Sequence, residues 1–100
     1  MNEIFDALGH PIRREVLEIL KRRGMTAGEI ADHFPVSKPT MSGHFAKLKA
    51  AGLIQGEKRS GSITYTLNLS TLEEALLGFM GRVGIGSFED GLRGKAGETT

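Results

Sequence analysis

The residues best placed to do chemistry fall in one stretch. Between Val36 and Arg59 stand Lys38, Lys47, Lys49, Lys58 and Arg59, against the single acid Glu57. Five cations less one carboxylate leave a local charge of +4, in a chain whose formal net charge is only +1. Such a stripe suits a polyanion, because Lys and Arg neutralise phosphates and release their counterions. Surface lysine is common, so charge counting alone does not separate that role from a solvated face. Among the cations lie small and hydroxyl side chains, Pro39, Thr40, Ser42, Gly43, Ala46 and Ala50. They let a helix backbone sit deep in a groove while Lys38 and Thr40 reach base edges or phosphates and Lys47 a phosphate.

Other chemistries find no constellation. The chain has no cysteine, which excludes disulfides, thiolate metal sites, iron–sulfur clusters and thiol redox switches. His10, His33 and His44 fall in three different segments with no His-x3-His or similar spacing. Each therefore reads as an isolated hydrogen-bonding or half-buried residue, and no metal or other cofactor is expected. His44 borders the apolar side of its segment, where it would orient a helix. No nucleophile elbow, phosphate-cradling glycine loop or metal-hydrolase motif occurs, and Gly84-x-Gly86 follows no strand, so no enzyme is expected.

The elements that must carry these residues fit one domain of 100 residues. Ile4, Phe5 and Leu8 at helical spacing, stopped by Gly9, predict a short first helix over residues 2–8. Pro11 opens a second helix to Arg23, with Ile12, Val16, Leu17 and Leu20 on one face. Thr26-Ala-Gly-Glu29 is a capping box for a short third helix burying Ile30, Ala31 and Phe34. Pro35-Val36 turns the chain, Ser37 caps a fourth helix to about Ala51, and Gly52 closes it. Met41, Phe45 and Leu48 take its core side. Leu53–Lys58 and Ile63–Asn68 predict strands joined at Arg59-Ser60-Gly61-Ser62, with Ile63, Tyr65 and Leu67 inward. Ser70 would cap a fifth helix whose stripe of Leu72, Leu76, Phe79, Met80 and Val83 is wider than so small a core can cover.

Residues 1–84 would thus form a mostly α domain of order α-α-α-α-β-β-α. Beyond them, residues 85–100 carry only Ile85, Phe88 and Leu92 as large apolar groups and read as a mobile Gly-rich tail. No apolar run is long enough to span a bilayer and the N-terminus lacks a signal-peptide layout, so a cytoplasmic location is expected.

That order is the order of a winged helix-turn-helix domain, which sets its second motif helix in the major groove and its hairpin over neighbouring backbone. The segments HPIRREVLEIL, MTAGEIADHF, SKPTMSGHFAKLKAAGLI and RSGSITYTL together resemble the ArsR (arsenic-repressor) family of regulators over residues 1–70. Within it they look most like the branch of small autorepressors typified by the repressor of a sporulation-delaying-protein immunity operon. The resemblance implies a repressor that homodimerises through its first and last helices. It carries DNA-reading roles onto Lys38, Pro39, Thr40, Ser42 and Gly43, with the wing-tip arginine at Arg59. Many members have His or Arg where Gly43 stands, which shifts recognition here toward backbone approach and groove shape. His10 stands where the family commonly has Asp, so the second helix is expected to start less firmly. The family's thiolate site would fall in Thr26–Asp32, which has no sulfur, and its last-helix site in Ser70–Val83, which holds only Glu73 and Glu74.

The functional expectation is a sequence-specific repressor, acting on a two-fold duplex operator as a homodimer and indifferent to metals. Its dimer would be built from Ile4, Phe5, Leu8, Leu72, Leu76, Phe79, Met80 and Val83. The inducing signal would come from a protein inducer or from changing expression. The alternative is a winged-helix adaptor that binds protein and not nucleic acid. An adaptor would expose an apolar face on its third or fourth helix, where this chain places small, polar and basic residues. An RNA-binding winged helix would need exposed aromatics, and Tyr65, its one candidate, is directed inward.

Overall fold

A computed structural model describes residues 2–84; the segment 85–100, expected as a tail, lies outside the described residues. Five helices and three strands follow one another as α1 (Asn2–Leu8), α2 (Pro11–Leu20), β1 (Met25–Thr26), α3 (Ala27–Ala31), α4 (Lys38–Ala50), β2 (Ile54–Arg59), β3 (Ser62–Leu67) and α5 (Leu69–Arg82). The strands form one antiparallel sheet in the order β1-β3-β2. The arrangement is a winged helix-turn-helix, mostly helical as expected, with α3 and α4 as the motif and the β2–β3 hairpin as the wing.

Local hydrogen bonds set most boundaries. In the α3 capping box, the Glu29 amide donates to Thr26 Oγ1 at 3.1 Å and the Thr26 amide to Glu29 Oε1 at 2.9 Å. After α4, Leu53 N donates to the Leu48 carbonyl at 3.0 Å and Gly52 N to Lys49 at 2.9 Å, with Gly52 at φ 76°. This is a Schellman stop, and its apolar partners Leu48 and Leu53 are both fully buried. Between the wing strands, Ser60 (φ 49°) and Gly61 (φ 83°) form a two-residue turn of the left-handed kind that matches strand twist.

The core lies where α2, α4 and the sheet meet. Val16, Leu17 and Leu20 pack with Ile30, Met41, Phe45, Leu48, Leu53, Ile54 and Tyr65. Phe45 and Tyr65 stand 5.0 Å apart ring to ring, joining α4 to the root of the wing. Gly56 lies across the ladder from Tyr65. A Cβ there would stand 3.1 Å from both Ile63 and Tyr65 side-chain carbons, so the missing side chain makes room for the ring.

Several expectations are corrected. The strand β1 was not foreseen; it pairs Met25 with Tyr65 and Thr26 with Thr64. Its demand that the chain turn back ends α2 at Leu20 instead of Arg23. His10 does not weaken the start of α2, because its Nδ1 accepts a hydrogen bond from Ile12 N at 3.1 Å and caps the helix as a carboxylate would. Ser70 is not a cap. Asn68, whose amide is bound to the Leu53 carbonyl at 2.9 Å, ends the strand so late that α5 starts at once from Leu69. Ile63 is 42% exposed, because the wing has left the core by that point although the residue shares a strand face with Tyr65.

Candidate nucleic-acid interface

Helix α4 presents two unlike sides. Met41, His44, Phe45 and Leu48 are buried, while Lys38, Pro39, Thr40, Ser42, Gly43, Ala46, Lys47, Lys49 and Ala50 are exposed. Six of the seven residues expected to meet DNA therefore lie on one accessible helix. Its start is held by Ser37, whose Oγ accepts from Thr40 N at 3.2 Å. The same hydroxyl donates to Thr40 Oγ1 at 2.9 Å, which leaves the Thr40 proton free to donate outward. Around Gly43 there is open space: a Cβ built there meets nothing within 4 Å. No packing demand explains a glycine in mid-helix, and without a side chain the helix backbone is open to close approach from outside.

The seventh residue, Arg59, closes β2 opposite Ser62 at the tip of the wing. Beyond Ile54 every residue of β2 is exposed, so the hairpin projects from the body. Between wing and helix runs an open groove of about 580 Å³, lined by Ser42, Phe45, Ala46, Lys49, Ile63 and Tyr65 among others. Lys49, read from sequence only as part of the basic stripe, and Ile63, read as inward, both border this space. Strand alternation sent Ile63 inward, and only the wing's projection exposes it.

Two of the cations already have anionic partners. Lys47 Nζ lies 2.7 Å from Asp6 Oδ2 on α1, and Arg59 Nη2 lies 2.8 Å from Glu57 Oε1. The Lys47 ammonium, through that hydrogen bond and its charge, holds the Asp6 carboxyl below the usual carboxylate range. Both pairs are well exposed. Water screens such pairs and they hold little energy, so a phosphate can displace the carboxylate. The His44 imidazole is also shifted, to below its ordinary value, by burial first and then by the charges of His10 and Arg13.

Comparison with known proteins agrees with this geometry. Residues 8–57 match the model of a helix-turn-helix domain family. The transcriptional repressor SdpR of Bacillus subtilis is 42% identical over 76 residues, which cover 76% of this chain and 84% of that protein. The protein belongs to the ArsR family of winged helix-turn-helix regulators. A crystal structure of an ArsR family transcriptional regulator is 31% identical and superposes with a TM-score of 0.71, covering 82% of this chain and 87% of that one. A homodimeric winged helix-turn-helix DNA-binding domain from Mycobacterium bovis shares the fold, with a TM-score of 0.67 at 16% identity over 99% of this chain and 86% of that one. The family's role is regulatory and not enzymatic.

In this ArsR-family chain the expected dimer residues gather on α1 and α5. Leu76, Phe79 and Val83 are exposed, joined by Leu69 and Leu77, which were not singled out. Phe5 and Phe79 meet across the two helices at 5.3 Å between ring centroids. Ile4, Leu8 and Leu72 pack against the protein's own core. Ala75 alone on α5 is buried. Among the described residues no group of three or more His, Cys, Asp or Glu side chains could hold a metal ion, and no helix is long and apolar enough to cross a membrane.

Proposed function

We propose that the protein is a sequence-specific transcriptional repressor that acts in the cytoplasm as a homodimer on a two-fold operator. Each subunit inserts α4 into a major groove and lays the wing, through Arg59, on the adjacent backbone or minor groove. The observation that carries this reading is the outer face of α4, small, polar and basic throughout and open at Gly43. Lys38, Pro39, Thr40, Ser42 and Gly43 read or approach base edges, while Lys47 and Arg59 exchange their carboxylate partners for phosphates. The exposed apolar side chains of α5, with Phe5, supply the dimer contact. Similarity to a named transcriptional repressor supports the regulatory part, and the homodimeric Mycobacterium domain the symmetric part.

DNA release here is independent of transition metals, and the signal comes from a protein inducer or a change in expression. Likeness to small autorepressors extends the role to control of the protein's own operon. Residues 1–84 suffice for binding and dimerisation in this scheme, with 85–100 as an appended tail. Selection of bound duplexes from random DNA tests the proposal. It should return a two-fold repeat with half-sites about 34–36 Å apart or a multiple of that. Recovery of no enriched sequence, with the protein folded, refutes it.

A further inference from the structure

His44 faces away from the groove that α4 would enter. It is 7% exposed, and its Nδ1 lies 3.1 Å from Arg13 Nη1 on α2. A guanidinium only donates hydrogen bonds, so this nitrogen must accept and the ring must be neutral with its proton on Nε2. The same guanidinium donates from Nε to the Ala7 carbonyl at 2.8 Å and from Nη2 to the Asp6 carbonyl at 3.1 Å. Those oxygens belong to the last turn of α1, where carbonyls lack their usual helical partners; the Asp6 carbonyl also accepts from Gly9 N at 3.0 Å. One planar fork thus joins the end of α1, helix α2 and the inner face of α4.

We infer that Arg13 and His44 are positioning residues for DNA binding: the neutral imidazole completes the fork and fixes the recognition helix against the end of α1. The inference rests on α4 being the helix that enters DNA. In a two-fold dimer joined through α1 and α5, the seating of α4 on α1 sets the separation and tilt of the two reading helices. A small rotation there is repeated in the second subunit.

Protonation of His44 undoes the arrangement. An imidazolium has no acceptor at Nδ1 and would bring a second cation to hydrogen-bond distance of the guanidinium. The charged and titratable groups around the ring offer no relief. The segment before α2 presents His10, 4.5 Å away ring to ring, and α2 presents Arg13. Helix α1 offers carbonyls already taken by Arg13, while the Asp6 carboxylate is turned to Lys47 of α4. Burial together with these two neighbours already disfavours the charged ring. DNA binding should therefore weaken in acid. This runs against the usual trend, in which protonation of surface histidines strengthens attraction to a polyanion.

The test measures affinity for the selected operator from about pH 8 to about pH 5 at constant ionic strength, a span that crosses imidazole titration. Wild-type operator affinity should fall by up to about tenfold per pH unit for each subunit once His44 titrates, and so by up to about a hundredfold for the dimer. His44→Gln keeps an acceptor but no titratable group, and its affinity should no longer fall in acid. His44→Leu, with no acceptor, should bind more weakly than His44→Gln at the alkaline end. Arg13→Lys, whose ammonium cannot span three acceptors, should also bind more weakly there. Equal pH profiles for folded wild type and His44→Gln, or wild-type affinity that rises in acid, overturn the inference. If wild type selects no DNA at any pH, the DNA reading itself fails. NMR of the free protein then judges the junction: signals of Asp6, Ala7 and Arg13 must move together with the His44 ring titration, and signals that stay still overturn it.

Discussion

Gly43 gives the sharpest separation of folding from DNA contact, because its replacement should move the two in opposite directions. It stands inside the 13-residue α4 with nothing within 4 Å of an added Cβ. Glycine in a helix interior is about 0.8–1 kcal/mol worse than alanine, since it loses more backbone freedom on folding. With no clash to subtract, Gly43→Ala should stabilise the fold by about that amount. For a domain of this size each kcal/mol raises Tm by about 4–8 °C. Gly43→Glu should give a smaller gain by the same mechanism and also place an anion on the surface that faces phosphate. Thermal unfolding by circular dichroism at fixed protein concentration reads the first effect, since the proposed dimerisation would make Tm concentration-dependent. Fluorescence anisotropy with the selected operator reads the second. Operator affinity should fall modestly for Gly43→Ala and by more than about tenfold, some 1.4 kcal/mol, for Gly43→Glu. A folded Gly43→Glu protein with unaltered affinity would show that α4 is not the reading element.

The other exposed residues of α4 should divide by the kind of contact they make. Lys47→Gln should weaken all duplexes alike and flatten the salt dependence by about one unit per subunit, whereas Thr40→Ala or Ser42→Ala should cost about 1–3 kcal/mol per lost base contact and relax preference at particular positions. An unchanged salt slope in the lysine variant would remove Lys47 from the interface. Phe79→Asp, on the exposed side of α5, should yield monomers in sedimentation, and a folded dimer of wild-type affinity would exclude this surface. Zinc, nickel, cadmium or arsenite at micromolar levels should leave operator affinity unchanged; release by any of them, abolished by replacing one histidine, contradicts the metal-independent reading. His44 ties stability to pH as well. Its folded value lies below the unfolded one of about 6.5, so its contribution is complete above that pH and is lost as pH falls below it, where only the unfolded chain takes up the proton. Urea unfolding of wild type and His44→Gln across that window should show the slope in the first and its reduction in the second.

What proved legible in the sequence is what neighbouring residues decide among themselves. Thr26 and Glu29, Ser37 and Thr40, and Gly52 after Leu48 set helix ends through bonds that reach no more than five residues, and each is found where spacing predicted it. The two sides of α4 follow from the helical repeat, which sends Met41, Phe45 and Leu48 to the core and leaves Pro39, Ser42, Gly43 and Ala46 outward. The turn at Ser60-Gly61 follows from the one backbone shape that a two-residue hairpin favours.

Tertiary structure decided the rest, because it depends on where distant segments meet. A strand of two residues, Met25–Thr26, has no periodicity to detect and exists only because β3 lies beside it. Alternation put Ile63 on the face of Tyr65 but could not say where along that face the core ends. Lys47 reads in sequence only as a cation able to reach a phosphate, yet it is paired with Asp6, 41 positions away in the chain. His44 looked like a residue at a border. Its burial and its bond to Arg13, 31 positions distant, arise from the crossing of α2 and α4. Sequence spacing specifies which side of an element a residue takes, and only the packing of one element on another specifies what that side touches.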